Sequence, residues 1–327
     1  MIEGHGDDAY RYSDITSDFS SNIWPNPTVC HAVAAYLSPC VPQLFAHYPE
    51  PEAKSLEHDI AHRHGISPSQ VVVTSGATEA IYLVAQTFPL KPVIPLPTFS
   101  EYQDACSMFP TQDHRHSCLW LCNPNNPDGK VTPCEAIRDV TCRHKLVVID
   151  QSYENYTEEK VMTIEEAAHY GNLIQIHSMS KTYGLPGLRL GYIVTSADMA
   201  AALRQNLRPW SVSPVAIEAG KYLLQHDDLI CQPDFGEARR LRRKLEAAAG
   251  LTVSPGSTTF LLCQLQRATA RQLKDYLARQ HHMLIRDCSN FGSLTQGHFR
   301  VSTQSPAQND ALLQAINLFY DWLAQEK

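Results

Sequence analysis

Between residues 70 and 195 the chain alternates short apolar runs with amphipathic stretches, and this alternation constrains its fold more than any other feature. Apolar runs with the length of strands lie at residues 71–74, 92–96, 118–122, 145–150, 173–178 and 191–195. The stretches at 78–88 and 100–109 have the spacing of helices. Continuous Val, Ile and Leu runs are typical of strands buried on both faces of a parallel sheet. The sequence therefore predicts a large α/β domain with a mostly parallel central sheet flanked by helices.

The pattern changes around the stretch "WSVSPVAIEAG" (210–220). Three further helices and three further strands are predicted there, the helices at 214–225, 234–250 and 306–325, and the strands at 258–265, 283–287 and 298–303. This mixture indicates a smaller α+β domain. We assign residues 28–225 to the large domain, and residues 1–27 and 226–327 to an N-terminal arm and the small domain. The polar, turn-rich arm is expected either to join the small domain or to cross to another subunit.

Charge and cysteine usage exclude several classes of protein. The net charge is −7, and no block of like charge is long enough to indicate a nucleic-acid or anionic-membrane partner. The basic stretch at 239–244 is predicted to be a solvated helix face. No apolar run approaches the roughly 20 residues of a membrane span, and the N-terminus is not a secretory signal. None of the ten cysteines stands in C-x-x-C. We therefore expect a cytoplasmic protein with reduced thiols.

A metal site is considered and set aside. His58 and His62 lie one helical turn apart in the stretch "EHDIAHRH". That stretch is not the zinc motif H-E-x-x-H, and a third ligand is not evident. No metal is predicted.

Lys181 stands in an apolar, glycine-broken stretch, "IHSMSKTYGLPGLRLGYIV", directly after a predicted strand. Open α/β sheets bind ligands at the carboxyl ends of their strands. Burial there disfavours an ammonium group and frees a nucleophilic amine, which a Schiff-base lysine requires. The alternative is that Lys181 is a solvated surface residue without a catalytic role, as most lysines are.

Two more strand ends point to the same edge of the sheet. Asp150 ends a buried strand in "VVIDQSY", and a buried carboxylate needs a cationic or N–H partner such as a pyridinium nitrogen. Tyr153 follows three residues later and could donate to a phenolic oxygen. In "TSGATEA" (74–80), backbone N–H groups from Gly76 to Thr78 could hold a phosphate at a helix N-terminus. The loop "NPNNPDG" carries Asn126, whose amide could reach the same ring oxygen.

With these residues in place, the chain resembles a fold-type I pyridoxal 5′-phosphate (PLP) enzyme of the class I/II aminotransferase family. The family motif S-x-S-K-x-x-x-L-x-G-L-R-x-G-Y is complete, at Ser178, Ser180, Lys181, Leu185, Gly187, Leu188, Arg189, Gly191 and Tyr192. The stretches around Gly76, Asn126 and Asp150 occur in the family's order and spacing. The resemblance covers nearly the whole chain.

The resemblance implies a role for each of these residues. Lys181 would bond covalently to the cofactor and later transfer protons, and Asp150 would pair with the pyridine nitrogen. Tyr153 and Asn126 would contact the ring oxygen. The cofactor phosphate would be bound by Gly76, Ala77, Thr78, Ser178, Ser180 and Arg189.

Two tyrosines are assigned by resemblance alone. Tyr102, in "PTFSEY", matches the aromatic residue that stacks on the cofactor ring. Tyr48, in "HYPEP", matches a tyrosine that reaches the cofactor phosphate of the neighbouring subunit. The second match implies a homodimer.

Two arginines narrow the substrate class. Arg300, in "HFRVST", matches the family's substrate-carboxylate arginine, and its planar fork suits that anion. Arg286, in "IRDCSNF", resembles the arginine that contacts the substrate phosphate in histidinol-phosphate aminotransferases and threonine-phosphate decarboxylases. The resemblance therefore implies a small phosphorylated amino acid or amine as the substrate.

The stretches "IRDCSNF" and "SDFSSNIWPNP", together with His5 and Gly6, are more similar to the decarboxylases of cobalamin biosynthesis. Asp7 departs from the "HGG" of that group. Decarboxylation of L-threonine O-3-phosphate is the first hypothesis. The alternative is a histidinol-phosphate type aminotransferase that uses 2-oxoglutarate. The two differ in which Cα bond stands perpendicular to the cofactor ring, and both remain open at this point.

Two other classes are weighed. A non-catalytic PLP-binding regulator would carry a winged-helix domain before the main domain, and here only about 30 residues precede the predicted large domain. A nicotinamide dehydrogenase would need a glycine fingerprint after the first strand, and "TSGATE" is not one.

Overall fold

The computed structural model describes residues 8–325, so the expectation for His5 and Gly6 lies outside the described residues. Its α-helices are α1 Pro27–Leu37, α2 Val41–Ala46, α3 Lys54–Arg63, α4 Gly76–Thr87, α5 Glu101–Met108, α6 Cys134–Thr141, α7 Ile164–Ala168, α8 Met179–Thr182, α9 Ala197–Arg204, α10 Pro214–Leu224, α11 Phe235–Glu246, α12 Ala270–His281 and α13 Pro306–Gln325. Its strands are β1 Ser17–Asp18, β2 Val71–Thr74, β3 Leu90–Val93, β4 Asp113–Cys122, β5 Leu146–Asp150, β6 Leu173–Ser178, β7 Gly191–Val194, β8 Leu251–Val253, β9 Phe260–Leu265, β10 Met283–Leu284, β11 Arg286–Asp287 and β12 His298–Ser302.

The central sheet has the strand order β2-β7-β6-β5-β4-β3. Strands β3, β4, β5 and β6 pair in parallel. Strand β7 runs antiparallel to both of its neighbours, β6 and β2. The predicted mostly parallel sheet is therefore confirmed, with one reversed strand. The parallel strands β4, β5 and β6 end at the same edge, which places their C-terminal residues side by side.

Alternate residues of each central strand pack against helices on opposite faces of the sheet. On one face, Val72, Val148 and Ile174 pack with α4, α5 and α9. On the other face, Val71 and Val73 pack with α1, α3 and α10, while further along the sheet α6 and α7 cover β4 and β5. Burial on both faces explains why these strands read as continuous apolar runs.

Strand β3 differs from its prediction. The apolar run at 92–96 suggested a strand over those residues, but the strand occupies Leu90–Val93. Pro95 and Pro97 have no N–H to donate to a ladder, so the strand cannot continue through them. β4 also begins earlier than predicted, because the polar residues from Asp113 onward extend along β3.

A second sheet of four antiparallel strands follows, in the order β11-β12-β9-β8. Helices α11, α12 and α13 pack on it through leucines and aromatic residues, which form a core of their own. The predicted strand 283–287 is interrupted at Ile285, because its first half pairs with β1 and its second half with β12. The N-terminal arm thus joins this part of the chain through β1. The division of the chain at residue 225 stays a prediction.

Three further observations concern the bulk properties of the described residues. All ten cysteines lie within them as free thiols. Among residues 8–325, no helix combines the length and the apolar character that crossing a membrane requires. The same residues contain no cluster of three or more His, Cys, Asp or Glu side chains that could hold a metal ion.

Candidate active site

A cavity of about 230 Å³ lies at the edge of the central sheet where β4, β5 and β6 end. The last residues of these strands, Cys122, Asp150 and Ser178, all line it. The sheet register pairs Cys122 with Asp150. Most of the predicted site residues meet here, namely Ala77, Thr78, Tyr102, Asn126, Asp150, Tyr153, Ser178, Ser180, Lys181, Arg189, Arg286 and Arg300.

Lys181 occupies α8, a single turn of helix directly after β6. Its side chain reaches the cavity, and its Nζ lies 5.6 Å from the centre of the Tyr153 ring. The residue is half-buried. Lys181 and Asp150 therefore line the same cavity, and the predicted bond of Lys181 to a cofactor stays a prediction.

Asp150 is buried, and each of its carboxylate oxygens has a donor. The Tyr102 hydroxyl donates to Oδ2 at 2.8 Å, and the Ser152 backbone N–H donates to Oδ1 at 2.9 Å. These bonds fix the carboxylate at the floor of the cavity. A carboxylate held in this way can accept a proton-bearing ring nitrogen as a further donor.

Tyr102 was predicted to cover the ring face of a cofactor, and the structure gives it additional contacts. The side chain is fully buried, and its ring stacks on the Trp120 ring with centroids 5.7 Å apart. Its hydroxyl donates a hydrogen bond to Asp150. Phe99 also lines the cavity, and its ring meets the Tyr102 ring edge-on at 5.9 Å. The predicted stacking role of Tyr102 stays a prediction, and the hydroxyl contact is one that the sequence did not indicate.

Tyr153 is buried beside Lys181, with its ring packed edge-on against Phe260. Burial raises the pKa of Tyr153 to about 12, so its hydroxyl remains a proton donor at neutral pH.

The N-terminus of α4 and the loop after β6 form a candidate phosphate cradle. Gly76 begins α4 with φ +83°, and a Cβ there would lie 2.7 Å from Arg189 Nη2. The positive φ favours glycine at this position, because L side chains rarely adopt that conformation. The Ser180 Oγ is buried without a hydrogen-bond partner among the described residues. A helix N-terminus, an arginine and an unsatisfied hydroxyl together suit a phosphate.

Arg300 is buried on the opposite side of the cavity. Its Nη1 donates to Asn126 Oδ1, and its Nη2 donates to the Ser20 carbonyl at 2.7 Å. Its Nε is buried without a partner among residues 8–325. The Asn126 amide oxygen is therefore occupied by Arg300, and the predicted contact of Asn126 with a ring oxygen stays a prediction. An unsatisfied guanidinium N–H is suited to a carboxylate ligand.

Arg286 lies next to Arg300 in the strand register and is 5% exposed. Its Nη2 donates to Asn290 Oδ1 at 3.1 Å, and its guanidinium lies 5.3 Å from the centre of the Phe291 ring. Burial lowers the pKa of Arg286 to about 10, and the positive charge of Arg300 acts in the same direction. Asp287 and Asp8 act in the opposite direction, but burial dominates. Two buried guanidinium groups at one cavity are suited to an anion.

Sequence reasoning missed several residues that line the cavity. All four residues of the segment Ser20–Ile23 line it, and Phe99 and Phe291 add apolar walls. The segment has no regular secondary structure, so no periodicity marked it. The signal available was the run of small polar residues in "DFSSN", which was noted only as part of a family resemblance.

Gly76 and Tyr48 are the predicted residues that do not line the cavity. Gly76 begins α4 and lies beside the Arg189 guanidinium. Tyr48 is 86% exposed and packs against Trp210, with ring centroids 5.6 Å apart. Its predicted contact lies in a second subunit, so it stays a prediction.

Comparison with known proteins places this geometry in a family. The sequence model of the family described as "Aminotransferase class I and II" matches residues 16–111 and 107–316. Threonine-phosphate decarboxylase from Salmonella typhimurium is 29% identical over an alignment of 333 positions, which covers 91% of this chain and 90% of the relative.

Two solved structures are similar over almost their whole length. L-threonine-O-3-phosphate decarboxylase from Porphyromonas gingivalis has a TM-score of 0.86 and 33% identity, with 93% of this chain and 99% of that chain covered. Histidinol-phosphate aminotransferase from Sinorhizobium meliloti, solved in complex with pyridoxal-5′-phosphate, has a TM-score of 0.81 and 20% identity. The alignment covers 96% of this chain and 94% of that one, and this likeness concerns the fold.

Proposed function

The chain belongs to the class I and II aminotransferase family of PLP-dependent enzymes, and we propose that it uses PLP to decarboxylate L-threonine O-3-phosphate. The observation that carries the proposal is the position of Arg286 and Arg300, which line the same cavity as Lys181. A substrate with both a carboxylate and a phosphate has one anion for each guanidinium.

The residues of the cavity fit the cofactor. Lys181 supplies the amine that would bond to its aldehyde carbon, and Asp150 would hold a proton on its ring nitrogen. When bound, pyridoxal phosphate accepts the electron pair that is released when a bond to the substrate Cα breaks. The Tyr153 hydroxyl, which remains protonated, would donate to the ring oxygen.

The phosphate of the cofactor has a separate set of donors. They are the first N–H groups of α4 at Ala77 and Thr78, the hydroxyls of Ser178 and Ser180, and the Arg189 guanidinium. The unsatisfied Ser180 hydroxyl supports this assignment, since a buried hydroxyl without a partner is disfavoured unless a ligand occupies it.

Substrate orientation follows from the two arginines. Arg300 would bind the carboxylate through its fork, and Arg286 would bind the substrate phosphate. Fixing both anions would hold the substrate in one orientation, and that orientation would determine which bond at Cα breaks. Breaking the bond to the carboxylate would release carbon dioxide, while breaking the bond to hydrogen would lead to amino transfer.

Support for decarboxylation comes from the similarity to the threonine-phosphate decarboxylases of Salmonella typhimurium and Porphyromonas gingivalis, at 29% and 33% identity. The alternative is an aminotransferase of the histidinol-phosphate type, because histidinol-phosphate aminotransferases are also among the proteins with similar sequences. Both candidates need the same cavity residues, so their substrates must separate them.

We also propose that the active unit is a homodimer in which Tyr48 of one subunit reaches the cofactor phosphate of the other. Several large apolar side chains on this side of the chain are exposed, including Phe45 at 75%, Tyr48 at 86% and Trp210 at 52%. Exposed aromatic residues of this kind are typical of a protein–protein contact.

The proposed activity is tested with purified, PLP-loaded protein and two substrates in parallel. L-threonine O-3-phosphate should release carbon dioxide and give aminopropanol phosphate. Histidinol phosphate with 2-oxoglutarate should give no glutamate. Glutamate formation without gas release would replace the proposal with the aminotransferase alternative, and L-threonine without its phosphate serves as the control for the role of Arg286.

A further inference from the structure

Tyr156 has a buried hydroxyl that makes hydrogen bonds in two directions. It accepts from the Trp24 backbone N–H at 3.0 Å and donates to the Lys181 carbonyl at 3.1 Å. The side chain is 2% exposed, and burial raises the pKa of Tyr156 well above its ordinary value. The hydroxyl therefore keeps its proton at neutral pH and can donate.

The two partners of Tyr156 belong to two segments that are far apart in the sequence and both adjoin the cavity. Trp24 directly follows the segment Ser20–Ile23, all of which lines the cavity. The Ser20 carbonyl at the start of that segment accepts from Arg300 Nη2 at 2.7 Å. Lys181 carries the amine. One short path therefore connects the anion-binding guanidinium to the backbone of the amine-bearing residue.

Tyr156 itself does not line the cavity, so it must act through its neighbours. Its ring also supports Tyr153, which it meets edge-on at 5.6 Å. The short helix α8 ends at Thr182, and carbonyls at the end of a helix lack intrahelical partners. The Lys181 carbonyl accepts from the Gly184 backbone N–H at 3.3 Å, and the Tyr156 hydroxyl is its side-chain donor.

We propose that Tyr156 is a positioning residue whose hydroxyl ties the segment Ser20–Trp24 to the backbone of Lys181, and so fixes the amine relative to the Arg300 side of the cavity. The inference rests on the proposed function in one respect, namely that Lys181 carries the cofactor. It does not depend on which substrate is used.

The variant Tyr156→Phe removes one oxygen and keeps the ring. Its matched control is Tyr183→Phe, which removes another buried hydroxyl that donates to a backbone carbonyl, that of Leu223 at 3.1 Å. Both variants are loaded with PLP, and their visible absorbance is titrated with pH in the absence of substrate.

We expect the titration midpoint to rise in Tyr156→Phe and to stay in place in Tyr183→Phe. A Lys181 backbone that has lost this bond is free to move its nitrogen toward the groups that stabilise the protonated form. Turnover of Tyr156→Phe should fall roughly tenfold, because small displacements of reacting groups have large effects on rate. An unchanged midpoint, or an equal shift in both variants, overturns the proposal.

A second measurement needs no variant. Amide hydrogen exchange at Trp24 is followed in the wild-type protein with and without PLP. Trp24 lies outside helices and strands, yet we expect its amide to be protected and to exchange more slowly once Lys181 is bonded to the cofactor. Exchange as fast as in a free chain, or unaffected by PLP, contradicts the tie. Neither measurement uses threonine phosphate. If the wild-type protein does not turn over that substrate, the proposed function fails, but the role of Tyr156 can still be tested.

Discussion

Arg286 and Arg300 are directly paired across the antiparallel strands β11 and β12, and both side chains are buried at the same cavity. Two adjacent guanidinium groups repel each other, and burial makes this more unfavourable. A doubly anionic ligand removes the conflict. This pair distinguishes the site from one that binds an amino acid through its carboxylate alone.

The first prediction concerns substrate choice. Arg286→Ala should lower kcat/KM for phosphorylated substrates by an amount equivalent to about 2–5 kcal/mol, because a buried phosphate loses its charged partner. Unphosphorylated analogues should be affected far less. Arg271→Ala, which removes an exposed arginine from the polar surface next to Arg286, is the control. An equal loss for both kinds of substrate would refute the assigned role of Arg286.

The second prediction concerns stability. The folded pKa of Arg286, about 10, lies below its ordinary value, so the folded state disfavours the charged form. Below that pH the buried charge opposes folding, and stability should rise as pH increases through about 10. Arg286→Met should therefore raise the melting temperature of the ligand-free protein at pH 7 while it lowers activity. Thermal unfolding at pH 7 and pH 10 checks both points, and the advantage of the variant should narrow at the higher pH. A variant less stable than wild type at both pH values would count against a buried, uncompensated charge.

The third prediction separates the two roles of Tyr102. Tyr102→Phe keeps the ring and removes the donor to Asp150, so a purely stacking residue would tolerate it. We expect a loss of about 1–2 kcal/mol in kcat, roughly tenfold, since one carboxylate oxygen loses its hydrogen bond. Tyr82→Phe, which removes a hydroxyl that donates to Glu101 at 2.8 Å outside the cavity, is the control. Wild-type kcat in Tyr102→Phe would leave stacking as the only role.

The fourth prediction tests the homodimer. Neither Lys181→Ala nor Tyr48→Ala should be active alone. Mixed dimers contain one site with both residues intact if Tyr48 acts across the interface. Mixing equal amounts and allowing subunits to exchange should therefore restore roughly a quarter of wild-type activity. No recovery after verified exchange would mean that Tyr48 acts within its own subunit or not at all.

Much of the site could be predicted because it depends on strand ends. A parallel sheet buried on both faces gives continuous apolar runs, and these located Asp150 and Lys181 at a common edge. Contacts between side chains far apart in sequence left no such signal. The Arg300–Asn126 bond joins residues 174 positions apart, and the Tyr102–Asp150 bond spans 48.

Strand boundaries failed for a different reason. The apolar run around Val93 extended the predicted strand β3 past its observed end, because hydrophobicity does not report the missing N–H groups of Pro95 and Pro97. The hydroxyl of Tyr156 was overlooked because a buried tyrosine next to a strand is an ordinary core residue until its partners are known.

The central claim is that Lys181 is the residue that bonds to the cofactor. Protein loaded with PLP should be yellow, and reduction with borohydride followed by peptide mass analysis should find the cofactor on the peptide that contains Lys181. Lys181→Ala should keep its fold by circular dichroism, retain no reduced cofactor and show no turnover. Reduced cofactor on a different lysine, or on none while the protein remains active, would contradict the account.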